Sequence, residues 1–294
     1  KSFFDWQLSL ANLQVYEKAY SLSFERLAAT RRNVSLGDRP GIDTVEARIQ
    51  MQDRYVQLLQ AQNDVLTARL QLSVYLWSEN NQPLELKSNV IPDPTTQTIL
   101  LEKIESSTQT NNNQNFNHPY LKILDLKISQ LEIDKKWKKE KLKPLLNFSY
   151  SPLTDANRFS ALSFNQNKWG VGFAFPLFLR KERGDLQLAQ IKIQTAQWER
   201  DQKRNELQNK LTIATNRFAN LRSQESLQEQ NVGNYEKLWL SEKKMFELGE
   251  SSLFMINSRE MSYMTSQIKL NELQNKLIKS GLEVEYSKGQ LTIQ

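Results

Sequence analysis

The chain has 294 residues, with 39 Lys and Arg against 33 Asp and Glu, one histidine and no cysteine. Disulfides and thiolate metal sites are thereby excluded, and a single imidazole leaves almost no room for a metal centre or a catalytic triad. No run of about 18 apolar residues is present, so no transmembrane helix is expected. Lys1-Ser2-Phe3-Phe4-Asp5-Trp6 also lacks the basic start and apolar core of a signal peptide.

Residues from about 2 to 35 contain neither Gly nor Pro. Their apolar positions Leu8, Leu10, Leu13, Val15, Tyr20, Leu22 and Leu27 recur at helical spacing. Leu36-Gly37-Asp38-Arg39-Pro40-Gly41 reads as a turn. A second helix is expected from about 42 to 77. Its apolar seam of Ile42, Val45, Ile49, Val56, Leu59, Leu66 and Leu70 steps by three and four, with polar Gln52 and Asn63 within it. Such a seam wraps a partner helix. The two helices form a hairpin whose second arm is about 50 Å long.

Pro83, Pro92 and Pro94 break the pattern between about 78 and 117. A short amphipathic piece there carries Ile99, Leu100, Leu101 and Ile104, followed by the polar linker Asn111 to Asn117. His118-Pro119 opens a helix that runs to about 142, with Leu121, Leu124, Ile128 and Leu131 on one stripe. Its end holds the densest basic run, Lys135 to Lys141. Glu132, Asp134 and Glu140 interrupt the charge, which favours a solvated helix face near a membrane surface over a nucleic-acid or anionic-lipid patch.

After Pro144 the period changes to two. Phe148 and Tyr150 alternate with Asn147, Ser149 and Ser151, and Trp169, Val171, Phe173 and Phe175 alternate with Gly170, Gly172 and Ala174. This predicts strands at about 144–152 and 167–177, each able to reach the roughly 9–11 residues of a tilted membrane strand. Long helices follow from about 183 to 247 and from 253 to 288, around the turn Leu248-Gly249-Glu250-Ser251-Ser252. The first of these arms spans on the order of 95 Å.

The two turns match, and Gly37 and Gly249 stand 212 residues apart. At that offset Asn63 meets Asn275, Leu66 meets Ile278 and Leu70 meets Leu282. Two repeats are expected: a first hairpin at 1–77, an inter-repeat segment at 78–117 and a second repeat at 118–294. The strand pair has no counterpart in the first repeat, so roughly 95 residues of that repeat are expected to precede Lys1.

In order, His118-Pro119-Tyr120-Leu121 opens a helix that leads to Pro144-Leu145-Leu146-Asn147-Phe148-Ser149-Tyr150. Gly170-Val171-Gly172-Phe173-Ala174-Phe175-Pro176-Leu177-Phe178 then leads into a long helix, and each hairpin carries a Leu-Gly turn. This arrangement resembles the TolC-like outer membrane efflux proteins over nearly the whole chain. The resemblance implies a mainly helical fold with a small β part, in which three copies close one twelve-stranded membrane barrel above a helical periplasmic tunnel in a Gram-negative bacterium. It further implies a passive exit duct of tripartite efflux or type I secretion, partnered by a periplasmic adaptor and, through it, an inner-membrane pump. No cofactor and no nucleic acid is expected.

On that resemblance, Leu36, Gly37, Asp38, Leu248, Gly249 and Glu250 are the adaptor-contact tips. Phe148, Tyr150, Trp169, Val171, Phe173 and Phe175 would face lipid, and Asn147, Ser149, Ser151, Gly170, Gly172 and Ala174 the lumen. Some relatives ring the closed entrance with acidic residues. Here Asp43 follows Gly37, but Met255 and Ser258 stand at the second-repeat positions, so apolar packing of Leu253, Phe254 and Met255 is the expected gate. An enzyme is not expected, because His118 stands at a helix start where a structural role suffices and no phosphate-binding Gly-rich loop occurs. The alternative is a soluble or periplasmic coiled-coil scaffold without channel activity, which would have no need of the strand pair.

Overall fold

Stretches free of Gly and Pro become long helices, and the period-two stretch becomes a hairpin of strands. The computed structural model describes residues 1–87, 89–93, 95–110, 118–152, 167–174 and 178–289. In chain order the elements are α1 (Ser2–Ser35), α2 (Ile42–Ser73), α3 (Thr95–Thr110), α4 (Pro119–Glu140), β1 (Leu145–Pro152), β2 (Asn167–Ala174), α5 (Arg180–Glu247) and α6 (Leu253–Lys288). The expected helix α2 ends four residues early. Beyond it the backbone turns on itself: Leu84 N–H donates to the Leu76 carbonyl at 2.9 Å, Ser78 N–H to that of Gln82 at 2.9 Å, and Trp77 bridges Pro83. Asn81 supplies the positive φ of 55° that this small hairpin needs. Asp93 opens α3 by accepting from the Thr95 amide at 2.9 Å, which holds its carboxyl below the usual range.

One compact unit is built from α1, α2, α3, α6 and residues 210–247 of α5. Within it α1 packs against both α2 and α6. In turn α6 packs along α5: Gln228 Nε2 donates to the Ser266 carbonyl at 3.0 Å, and Trp239 stacks on Tyr263 at 5.4 Å. α2 also touches α6, where Arg54 reaches Met261. Burial pushes the Tyr263 hydroxyl up to about 12, helped by Glu236, which accepts its hydrogen bond at 3.0 Å. Near one end, α3 places Ile104 against Ala214, Phe218, Leu221, Leu273, Leu277 and Val284. Gly281 admits this contact, since a Cβ there would lie 2.8 Å from Ile104 Cδ1.

The seam that packs α2 on α1 is not the expected one. The buried residues of α2 are Ala47, Arg54, Leu58, Ala61, Ala68 and Leu72, and a heptad row of Ala47, Arg54, Ala61 and Ala68 runs through them. Ile42, Val45, Ile49, Val56, Leu59, Leu66 and Leu70 all remain exposed. Small side chains let two helix backbones approach closely, so alanines line the tight contact while the larger side chains point away.

The second unit holds α4, both strands and residues 180–209 of α5. Arg200 Nε donates to Asp125 at 2.6 Å and Lys127 pairs with Glu199 at 2.9 Å, so α4 and α5 are bridged by exposed ion pairs. The strands form one antiparallel two-stranded sheet.

Candidate functional site

Each hairpin tip is a helix end closed by a left-handed glycine. Gly37 has φ +82° and Gly249 φ +79°, a conformation that a Cβ would strain. Asp38 N–H donates to the Asn33 carbonyl at 2.9 Å and Gly37 N–H to Val34 at 3.1 Å. Glu250 N–H donates to Met245 at 2.9 Å and Gly249 N–H to Phe246 at 3.1 Å. These are the same two bonds, 212 residues later, so the matching turns in the sequence are matching structures. Leu36 and Leu248 project, exposed by 66% and 74%. Asp38 and Glu250 are likewise exposed.

Below the tips, Leu253 is buried with Ile256 against Leu27 and Ala47. It thus helps to join the two hairpins of one chain, whereas Phe254 and Ser258 are exposed and Met255 is half-buried. Ser252 caps α6 by accepting from the Met255 amide at 3.3 Å. Asp43 pairs with Arg39 at 3.4 Å, and the Arg39 guanidinium lies 4.2 Å from the centre of the Phe246 ring.

The strand register sorts residues by chemistry. Leu146 faces Phe173, Phe148 faces Val171 and Tyr150 faces Trp169, all on one side of the sheet. Asn147 faces Gly172, Ser149 faces Gly170, Ser151 faces Lys168 and Leu145 faces Ala174 on the other. The first side is a large apolar surface in the open: Phe148, Val171 and Phe173 are 74%, 69% and 68% exposed, and the Tyr150 and Trp169 rings stand 4.7 Å apart. The second side is thin. A Cβ on Gly170 would fall 2.5 Å from Ser149 Oγ, which donates to the Gly170 carbonyl at 3.3 Å. The sequence pattern alone did not single out Lys168 on this thin side. Phe175 lies outside the described residues.

His118 is at the N-cap of α4, where its Nδ1 accepts from the Tyr120 amide at 3.1 Å. The basic end of that helix is partly neutralised locally. Lys138 pairs with Asp134 at 3.5 Å, Lys143 with Glu140 at 2.6 Å, and Lys141 lies over Trp137 at 3.6 Å. Among the described residues, no group of His, Cys, Asp or Glu is placed to hold a metal ion.

A cluster not anticipated from the sequence joins α1, α2 and α6. Arg26 donates to Asn257 Oδ1 at 2.6 Å and forms an ion pair with Glu260. Arg54, only 2% exposed, reaches Gln57 Oε1 at 3.0 Å and Met261 Sδ at 3.4 Å. Burial lowers the Arg54 guanidinium and the Glu260 carboxylate opposes that shift. The only signal in the sequence was that Arg54 interrupts the sevenfold row of Ala47, Ala61 and Ala68.

No protein-family model and no curated protein matches the chain. Solved structures do. The CmeC outer membrane channel of Campylobacter jejuni is 15% identical with a TM-score of 0.69, over 99% of this chain and 62% of its own. CusC, known from structures of folding and transmembrane channel formation, is 15% identical with a TM-score of 0.72, over 98% of this chain and 66% of its own. The outer membrane protein VceC of Vibrio cholerae is 13% identical with a TM-score of 0.67, over 98% of this chain and 68% of its own. The chain spans about two thirds of the length of these proteins, and over that span it has the fold of the TolC-like outer membrane channels.

Proposed function

We propose that the protein is an outer-membrane efflux channel, a passive duct assembled from three copies with a helical tunnel in the periplasm. The observation that carries this reading is the two-faced strand hairpin. Its side of Phe148, Tyr150, Trp169, Val171 and Phe173 has the character of a lipid-facing surface. The opposite side of Asn147, Ser149, Gly170 and Gly172 has that of an uncrowded, polar lumen. Two strands leave two open edges, which hydrocarbon does not tolerate, so in a membrane they require strands from elsewhere to close a barrel. The fold shared with solved channels supports the same reading. Full-length protein reconstituted into planar bilayers is expected to be trimeric and to give discrete ion conductance. A monodisperse monomer that needs no detergent, and that conducts nothing, would favour the coiled-coil scaffold instead.

The projecting tips are the proposed contact with a periplasmic adaptor, which would link the duct to an inner-membrane pump. Both Leu-Gly turns present an exposed leucine and acidic residue on a backbone that only glycine adopts easily. Gly37→Trp and Gly249→Trp are expected to abolish adaptor capture by trimers that remain folded. Undiminished capture would reduce these residues to turn formers.

A further inference from the structure

At the helix end of the strand hairpin, where α4 stops and α5 begins, lies an open recess of about 810 Å³. It belongs wholly to the second unit and is framed by the end of α4, the paired ends of β1 and β2, and the start of α5. Four charged side chains line it: Glu140, Lys141, Lys143 and Glu182. Lys143 pairs with Glu140 at 2.6 Å, which leaves one cation and one anion. The Lys141 ammonium lies 3.6 Å from the centre of the Trp137 ring, and among the described residues no carboxylate pairs with it. Glu182 is half-buried, and among the described residues nothing donates to its Oε2. A carboxylate drawn out of water without a donor is costly. The recess is therefore neutral but dipolar. It is also lined by Leu146, which stands with Phe148 on the exposed apolar side of the sheet.

We infer that this recess seats the headgroup of a phospholipid that carries both a phosphate and a primary ammonium, one in each copy. The inference rests on the channel reading and names a lipid held at the periplasmic rim of the barrel. Depth supports it. Strands of eight residues, rising about 3.3 Å per residue and tilted by about 40°, cover roughly 20 Å of a barrel's apolar band of about 25 Å. The helix end of the hairpin then falls at the edge of that band, among the headgroups. Aromatic side chains flank the band of a membrane barrel on both sides. Trp137 stands at this end, and Tyr150 with Trp169 near the other. Lys141 donates to the phosphate oxygens, a charge-assisted bond. The headgroup ammonium supplies the donors that Glu182 lacks. The acyl chains continue along Leu146 and Phe148, 54% and 74% exposed. An anionic headgroup without an amine leaves Glu182 unpaired, and a quaternary ammonium has no N–H to give it. The choice of a zwitterion also agrees with the local pairing that neutralises the lysine run, Lys138 with Asp134 and Lys143 with Glu140.

Native mass spectrometry of full-length protein, released from nanodiscs with equal fractions of phosphatidylethanolamine, phosphatidylglycerol and phosphatidylcholine, counts the lipids each assembly retains. Phosphatidylethanolamine is expected to be retained over the other two, one per copy. Lys141→Gln is expected to lower retention of every phospholipid, and Glu182→Gln that of phosphatidylethanolamine alone, each by about tenfold. Lys136→Gln, on the same helix but outside the recess, is expected to change neither. Preferential retention of phosphatidylglycerol, or an equal loss with Lys136→Gln, means a diffuse basic surface and overturns the site. Displacement of the lipid by an equal concentration of soluble glycerophosphoethanolamine overturns it too, because a site for small phosphates needs no membrane. A trimer that conducts but retains no phospholipid in preference to another also overturns the site, and leaves the channel reading intact. A monomer without conductance removes both.

Discussion

Val171→Arg is expected to keep the full-length protein from assembling in the outer membrane, while Gly172→Ala, its neighbour, leaves assembly unchanged. The two positions point to opposite sides of the same strand. Val171 pairs with Phe148 in the middle of the exposed apolar side. On the proposed lipid-facing side a guanidinium near the bilayer midplane costs about 2–4 kcal/mol, and in the proposed trimer that cost recurs in every copy. At Gly172 a Cβ would lie 3.8 Å from the Asn147 Cβ, an ordinary contact that displaces nothing. Gly170→Ala is the intermediate case, because its Cβ would press on Ser149 Oγ, a group able to rotate away. Membrane fractionation with native gels of the assembled form measures all three. Normal assembly of Val171→Arg, or loss of assembly with Gly172→Ala, would show that the aromatic side does not face lipid.

Much of this arrangement was legible in the residues because two periods differ so plainly. The bounds of α1 and α6 follow directly from where Gly and Pro are absent or mark a turn, and the two faces of the strand pair follow from strict alternation. The left-handed tips were legible as well, since Leu36-Gly37-Asp38 and Leu248-Gly249-Glu250 carry glycine where the helix must stop. What sequence reasoning misread was the partner of each seam. Period alone marks a helix face as buried but does not say by what. On α2 the larger apolar residues stand out, yet the face closed within the chain is the row of Ala47, Ala61 and Ala68, whose small volume is what permits close packing. Leu253, an expected gate residue, packs between two hairpins beside Leu27. Neither distinction could be drawn without knowing which helices are neighbours, because an alanine and a leucine at the same heptad position bury with different partners.

The charged cluster carries the other large effect. Glu260→Leu is expected to destabilise the protein by about 3–5 kcal/mol, because it leaves a buried charge without its counter-charge. Glu260 forms the ion pair with Arg26 and is also the carboxylate whose field opposes the desolvation of Arg54. The Arg26 and Glu260 side chains are only 12% and 5% exposed, so water cannot replace the lost partner. Removing Arg54 should behave differently. Arg54→Met substitutes an apolar side chain of similar length for a desolvated cation whose own bonds are to Gln57 and Met261, both replaceable. Trading a buried charge for a well-packed apolar group is often neutral or stabilising, so Arg54→Met is expected to lie within about 1 kcal/mol of the parent. Thermal and urea unfolding of the purified protein, followed by helical circular dichroism, separates the two variants. The cluster then has a mechanical meaning, since Arg26, Arg54 and Glu260 belong to α1, α2 and α6. The Arg26–Glu260 pair ties α1 to α6 and Arg54 reaches α6 at Met261, specific contacts that set the register of the helices, which apolar heptads alone do not because their knobs repeat every seven residues. Equal losses in Glu260→Leu and Arg54→Met would argue instead that only side-chain volume matters there.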